Sequence, residues 1–145
     1  RRQRQMCIRD RAARSELEKA IIDCAMEEKP DLMLIEGQSS LRNPSGPCGS
    51  EILLSGNVDA VILAHPAERE YFDNCESAEA LIPGIEDEIK LIHHYGKEVI
   101  GIAINASRSF DTSPLKEKLG MPVLNPIYED INPLVEKISS GLITR

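Results

Sequence analysis

DLMLIEGQSSLRNP, residues 31–44, is the stretch whose reading decides the fold. Leu32, Met33, Leu34 and Ile35 follow one another without a polar residue between them. That is the pattern of a strand covered on both faces in a parallel sheet, since a strand exposed on one face alternates polar and apolar residues. Glu36 closes the run and Gly37 opens a polar loop. Open α/β sheets bind ligands outside the carboxyl ends of their strands, so the stretch predicts a strand over 31–36 with Glu36 at a ligand-binding edge.

Outward from this run the same grammar repeats. Upstream, Leu17, Ala20, Ile21, Cys24 and Ala25 share one helical face, Ser15 and Glu18 have the spacing of a capping box, and Pro30 ends the helix. Cys24 is expected in the core. Downstream, apolar runs predict strands over 58–64 and 98–104, which run into His65 and Asn105, and a short strand over 122–124. Between the second and third runs lies a helix with Pro83 near its start, Ile85, Ile89 and Ile92 on one face and Gly96 as its C′ residue. Ser113-Pro114 opens a helix closed by Gly120, and Asn132-Pro133 opens a last one with Leu134, Val135 and Ile138 inward. Continuous apolar strands alternating with helices predict an α/β fold, a parallel sheet with flanking helices. Residues 38–49 and 65–82 are read as long loops leaving strand carboxyl ends, where such loops are usually functional.

The chain has 145 residues, 41% of them hydrophobic, enough for about one domain with its own core. It has no Trp, two Phe and three Tyr, too few aromatics for a base-stacking surface. Its net charge of −7 divides unevenly: six Arg and one Asp give residues 1–14 a charge of +5, leaving −12 on the remainder. An acidic body does not suit a phosphate-backbone binder, so nucleic acid is not an expected partner. Residues 1–11 carry the basic excess without the apolar segment of a secretory signal. They are read as a non-native or disordered tail, with the domain over 12–145; a basic arm for nucleic acid or an anionic membrane is the rival reading. No segment approaches 18 consecutive apolar residues, so no membrane span is expected. Cys7, Cys24, Cys48 and Cys75 form no C-x-x-C pair and no zinc-finger spacing, and reduced thiols in a cytoplasmic protein are expected.

Several polar residues sit where chemistry would be expected. Glu36, at a strand end, could hold a hydrated Mg²⁺ or accept a proton, while Gly37 lets the backbone approach a ligand and Gln38, Ser39 and Ser40 offer neutral donors and acceptors. The same Glu36 could equally be a structural cap. His65 could act as a general base or a ligand contact, or be a structural hydrogen-bonder, and Arg69 could grip a carboxylate or phosphate. His93 and His94 complement a helix's negative end. Asn105 could read a base edge or satisfy its own turn, and Asp111 and Ser113 read as a turn and a cap. The sequence contains no G-x-x-x-x-G-K-[ST], no G-x-G-x-x-G, no H-E-x-x-H and no G-x-S-x-G.

Taken in order, IEGQSSL-x-NP, VDAVILAHPAERE, VIGIAIN and LGMPVLNP resemble the carboxyl-terminal domain of the D-glutamate N-acetyltransferase-like family, over about residues 15–140. The resemblance implies a P-loop NTPase-like domain, present here in part, whose phosphate loop lies upstream. The family's E-G-Q-G-S-L-x-H-P motif falls on Glu36, Gly37, Gln38, Ser39, Ser40, Leu41, Asn43 and Pro44. Ser39 stands where the family has glycine and Asn43 where it has histidine. The family's C-H-x-x-x-R segment falls on Ala64, His65 and Arg69, and its I-A-L-N-T motif on residues 102–106, keeping Asn105.

The resemblance implies acetyl transfer from acetyl-CoA to the amine of an amino acid. On the matched positions Glu36 or His65 is the catalytic base, and Gln38, Ser39, Ser40, Asn43 and Arg69 contact substrate. Gly37 and Asn105 face a cofactor, and Glu36 is a metal ligand if Mg-nucleotide binds. An ATP-dependent kinase or ligase of the dethiobiotin-synthetase-like type, using ATP and Mg²⁺, is the rival enzyme. A non-catalytic regulatory or assembly domain is the other alternative. The expected partners are a small-molecule amino acid and, for assembly, a homo-oligomer of the chain.

Overall fold

The computed structural model describes residues 16–37, 40–44, 46 and 49–141. The basic tail at 1–11, with Gln38 and Ser39, lies outside the described residues. The chain divides into two compact units, Arg1–Arg42 with Pro47–Val58, and Asn43–Gly46 with Asp59–Arg145.

The first unit is helical among its described residues: α1 over 16–27 and α2 over Ser50–Ser55. A Cβ on Gly56 would lie 3.5 Å from Ile21 Cδ1, which places α1 against the end of α2. Leu53 is buried. The predicted α1 forms, but Ala20, Cys24 and Ala25 on its apolar face are exposed, so Cys24 is not a core residue. The predicted strand over 31–36 does not form. Residues 32–37 pair with no strand, and Leu34 is 77% exposed. Apolar composition favours burial, yet a strand also needs a neighbouring edge to take its N–H and C=O groups, and an apolar run cannot supply one. α2 falls just past the predicted loop at 38–49, in a stretch for which the sequence pattern gave no element.

The second unit holds the sheet. β1, Val61–His65, pairs in parallel with β2, Val99–Ile104, which pairs in parallel with β3, Val123–Leu124, in the order β1-β2-β3. Every β2 residue except Ala103 is buried. Side chains alternate across a strand, so β2 is covered on both faces, as its unbroken apolar run predicts. α3, Ile85–His94, and α5, Asn132–Gly141, pack on β2, and α4, Ser113–Leu119, packs on β3. These are the strands and helices expected from the sequence, with β1 shifted toward His65.

The helix ends follow their residues. At the end of α3, Gly96 at φ 74° lets its N–H reach the His93 carbonyl at 2.8 Å, while Lys97 N–H reaches Ile92 at 3.3 Å. These two bonds are the Schellman pattern. Gly120, at φ 63°, closes α4. Within α5, Leu134 is buried but Val135 is exposed, so the inward face is narrower than predicted.

The segment 65–82 is more than a polar loop. Phe72 and Cys75 are buried, a 3-10 turn spans Glu76–Ala78, and Tyr71 bridges Leu81. Phe72 N–H donates to the Ala80 carbonyl at 3.0 Å and Ile82 N–H to Glu70 at 2.8 Å, folding the segment on itself. Among the described residues no helix is long and apolar enough to cross a membrane.

Candidate functional site

Parallel pairing puts the carboxyl ends of β1, β2 and β3 along one edge. His65 is the last residue of β1, and the N–H of Asn105, just past β2, donates to its carbonyl at 2.8 Å. Past β3, Asn125 is almost fully buried. Its Nδ2 donates to the Ala106 carbonyl at 2.9 Å and its Oδ1 accepts from Ile127 N–H at 3.2 Å. Glu129 accepts from the Asn125 N–H with one oxygen and from the buried Thr112 hydroxyl, at 2.8 Å, with the other. A buried amide and hydroxyl are thereby satisfied, as buried polar groups must be.

The loops after β1 and β2 are tied together in front of this edge. Glu68 accepts from Ser107 N–H at 2.6 Å and from the Ser107 hydroxyl at 2.8 Å. The Ser107 bonds, the main-chain one first, hold the Glu68 carboxyl below its ordinary range. Asp111 accepts from Ser113 N–H at 3.0 Å, which lowers its carboxyl in the same way and makes the turn expected before α4.

His65 lines a cavity of about 320 Å³. Ile85, Phe110, Leu115 and Leu119 give it apolar walls, and Glu86, Asp87 and Lys118 supply its charges. Glu86 lies in the first turn of α3 and Lys118 in the last turn of α4, and Lys118 Nζ meets Glu86 Oε1 at 2.6 Å. Half-buried, His65 has its pKa pushed down by desolvation, so the imidazole is neutral at neutral pH. A neutral imidazole beside an apolar cavity can accept a proton from a bound small molecule.

Of the residues singled out in the sequence, the structure brings His65 and Asn105 together. Arg69 is exposed and its guanidinium is held by Asp73, four residues on. Glu36 and Gly37 are exposed in the first unit, and no strand ends at Glu36. The Ser40 hydroxyl, in the same unit, is buried with no hydrogen-bond partner among the described residues. Asn43 is half-buried and belongs to the second unit. Among the described residues no three His, Cys, Asp or Glu side chains come together as a metal site.

Sequence reasoning missed Glu68, Lys118, Glu86 and Asn125. Asn125 had a readable signal, since it ends a short apolar strand as Asn105 ends a longer one. Lys118 had none, being one of two lysines on a short polar helix.

A family model described as a domain of unknown function (DUF1611_C) P-loop domain matches residues 6–135. No curated protein and no solved structure matches the chain.

Proposed function

We propose a function from one premise: this chain belongs to the family of the DUF1611_C P-loop domain. The carboxyl edge of its sheet receives an amino acid and an acyl thioester, acetyl-CoA, and moves the acyl group to the amine. The observation that carries the reading is His65, a half-buried imidazole favoured in its neutral form at the edge of an apolar-walled cavity. The resemblance of the sequence motifs to D-glutamate N-acetyltransferases supplies the acyl group and the acceptor.

In this reading the amino acid enters as its ammonium form, which has no lone pair to attack with. His65 takes one proton, and the free amine adds to the thioester carbonyl to form a tetrahedral oxyanion. After His65 has released that first proton to solvent it takes the second from the nitrogen of the intermediate. Collapse breaks the C–S bond, and His65 passes this proton to the departing CoA thiolate, leaving the amide and the CoA thiol with one proton released overall. A positioned acid–base group of this kind contributes about 10²- to 10⁴-fold to rate.

The kinase or ligase reading asks for a Mg-nucleotide site. Its expected ligand Glu36 is exposed and ends no strand among the described residues, so the structure offers that reading no support at this position.

The test is thiol release from acetyl-CoA in the presence of D-glutamate, measured with the full-length protein. Wild type should transfer, and His65→Gln should lower kcat by about 10²-fold or more with an unchanged melting temperature at pH 8. Absence of transfer by wild type, or full activity of His65→Gln, overturns the reading.

A further inference from the structure

We propose that Lys118 and Glu86 form an exchangeable ion pair that selects a small zwitterion, Lys118 Nζ receiving a ligand carboxylate and Glu86 its ammonium. The inference rests on the reading of His65 above and names the class of acceptor that site takes.

Size limits the ligand first. At about 320 Å³ the cavity lies at the small end of ligand pockets, so it suits an amino acid better than a whole nucleotide cofactor. Charge limits it next. The charged groups lining the cavity are Glu86, Asp87 and Lys118. Asp87 already has a partner in Lys90 at 3.3 Å, while Glu86 and Lys118 hold each other at 2.6 Å. Their side chains are 48% and 64% exposed, and exposed pairs of this kind contribute little to stability, so little opposes their opening.

Each half of an opened pair needs a new partner of opposite sign. A ligand with carboxylates alone satisfies Lys118 but sets its charge against Glu86 and Asp87. An amine alone satisfies Glu86 and faces Lys118. A zwitterion meets both, exchanging one ion pair for two. Glu86 lies in the amino-terminal turn of α3, where the helix favours a negative charge. The ammonium held by Glu86 then lies at the cavity that His65 lines, where the proposed chemistry needs a proton acceptor.

The experiment is calorimetric titration of the full-length protein with D-glutamate and with glutarate, the same dicarboxylate without its ammonium. Wild type should prefer D-glutamate. Lys118→Met should weaken D-glutamate by about tenfold, and Lys118→Arg, which keeps the charge, should stay within about threefold of wild type. Glu86→Gln should weaken D-glutamate and strengthen glutarate, collapsing the preference. The proposal is overturned if wild type binds neither compound, if Lys118→Met leaves the D-glutamate affinity unchanged, or if the preference survives Glu86→Gln. Binding with these effects but without acetyl transfer keeps the ion-pair proposal and removes the transfer reading. Transfer with an unaltered KM for D-glutamate in Lys118→Met does the reverse.

Discussion

The main-chain N–H of Asn105 donates to the carbonyl of His65 at 2.8 Å, so the residues that end β1 and begin the loop after β2 leave the sheet side by side. This bond continues the β1–β2 ladder one step past the strands and fixes the backbone from which the imidazole projects. Four expectations follow from the groups around it.

His65 has a folded-state pKa below its ordinary 6.5 because burial disfavours the imidazolium. The unfolded chain then binds the proton first as pH falls, so the contribution of His65 to stability is complete above 6.5 and declines below it. Thermal melts between pH 8 and pH 5 should show wild type losing stability faster than His65→Gln. Parallel curves would show that the ring is not desolvated.

Glu68 has the opposite chemistry and the same direction in pH. Its carboxyl is held below the ordinary 4.5 by the main-chain and side-chain bonds from Ser107, so the stabilisation is present above 4.5 and is lost as pH falls through the lowered folded value. The difference in melting temperature between wild type and Glu68→Gln should be largest near neutral pH and close toward pH 3. A difference independent of pH would show that the charge plays no part.

Gly101 lies on β2 under α5. A Cβ there would run into Leu134 Cδ2 and stand 3.3 Å from the Pro122 carbonyl oxygen, and Leu134 is itself buried. Gly101→Ala should cost about 1–3 kcal/mol in urea denaturation, the range for overpacking a core. Adding Leu134→Ala should make the glycine substitution nearly neutral within the pair, a coupling that a double-mutant cycle reads directly.

Asn125 satisfies two main-chain groups, the Ala106 carbonyl and the Ile127 N–H. Asn125→Leu keeps roughly the same volume but leaves the Ala106 carbonyl and the Ile127 N–H without their side-chain partner, at a cost of about 2 kcal/mol or more. Equilibrium unfolding in urea measures it. A neutral substitution would mean that water replaces the amide.

The sequence by itself determined the α/β class, the strands ending near His65, Asn105 and Asn125, and the boundaries of α3 and α4. Apolar runs, Ser-Pro starts and glycine stops act through the backbone within a few residues, so local pattern carries them. Gly96 and Gly120 are the clearest cases, each taking the left-handed conformation its position requires. The run at 32–35 shows the limit of that information, for its composition is that of a buried strand and its main chain has no strand partner. Tertiary structure alone decided the site. Glu68 and Ser107 are 39 positions apart, and Lys118 meets Glu86 only because α4 and α3 lie near one another at one end of the sheet. Loop closure over such distances is set by how whole elements pack, and no local periodicity records it.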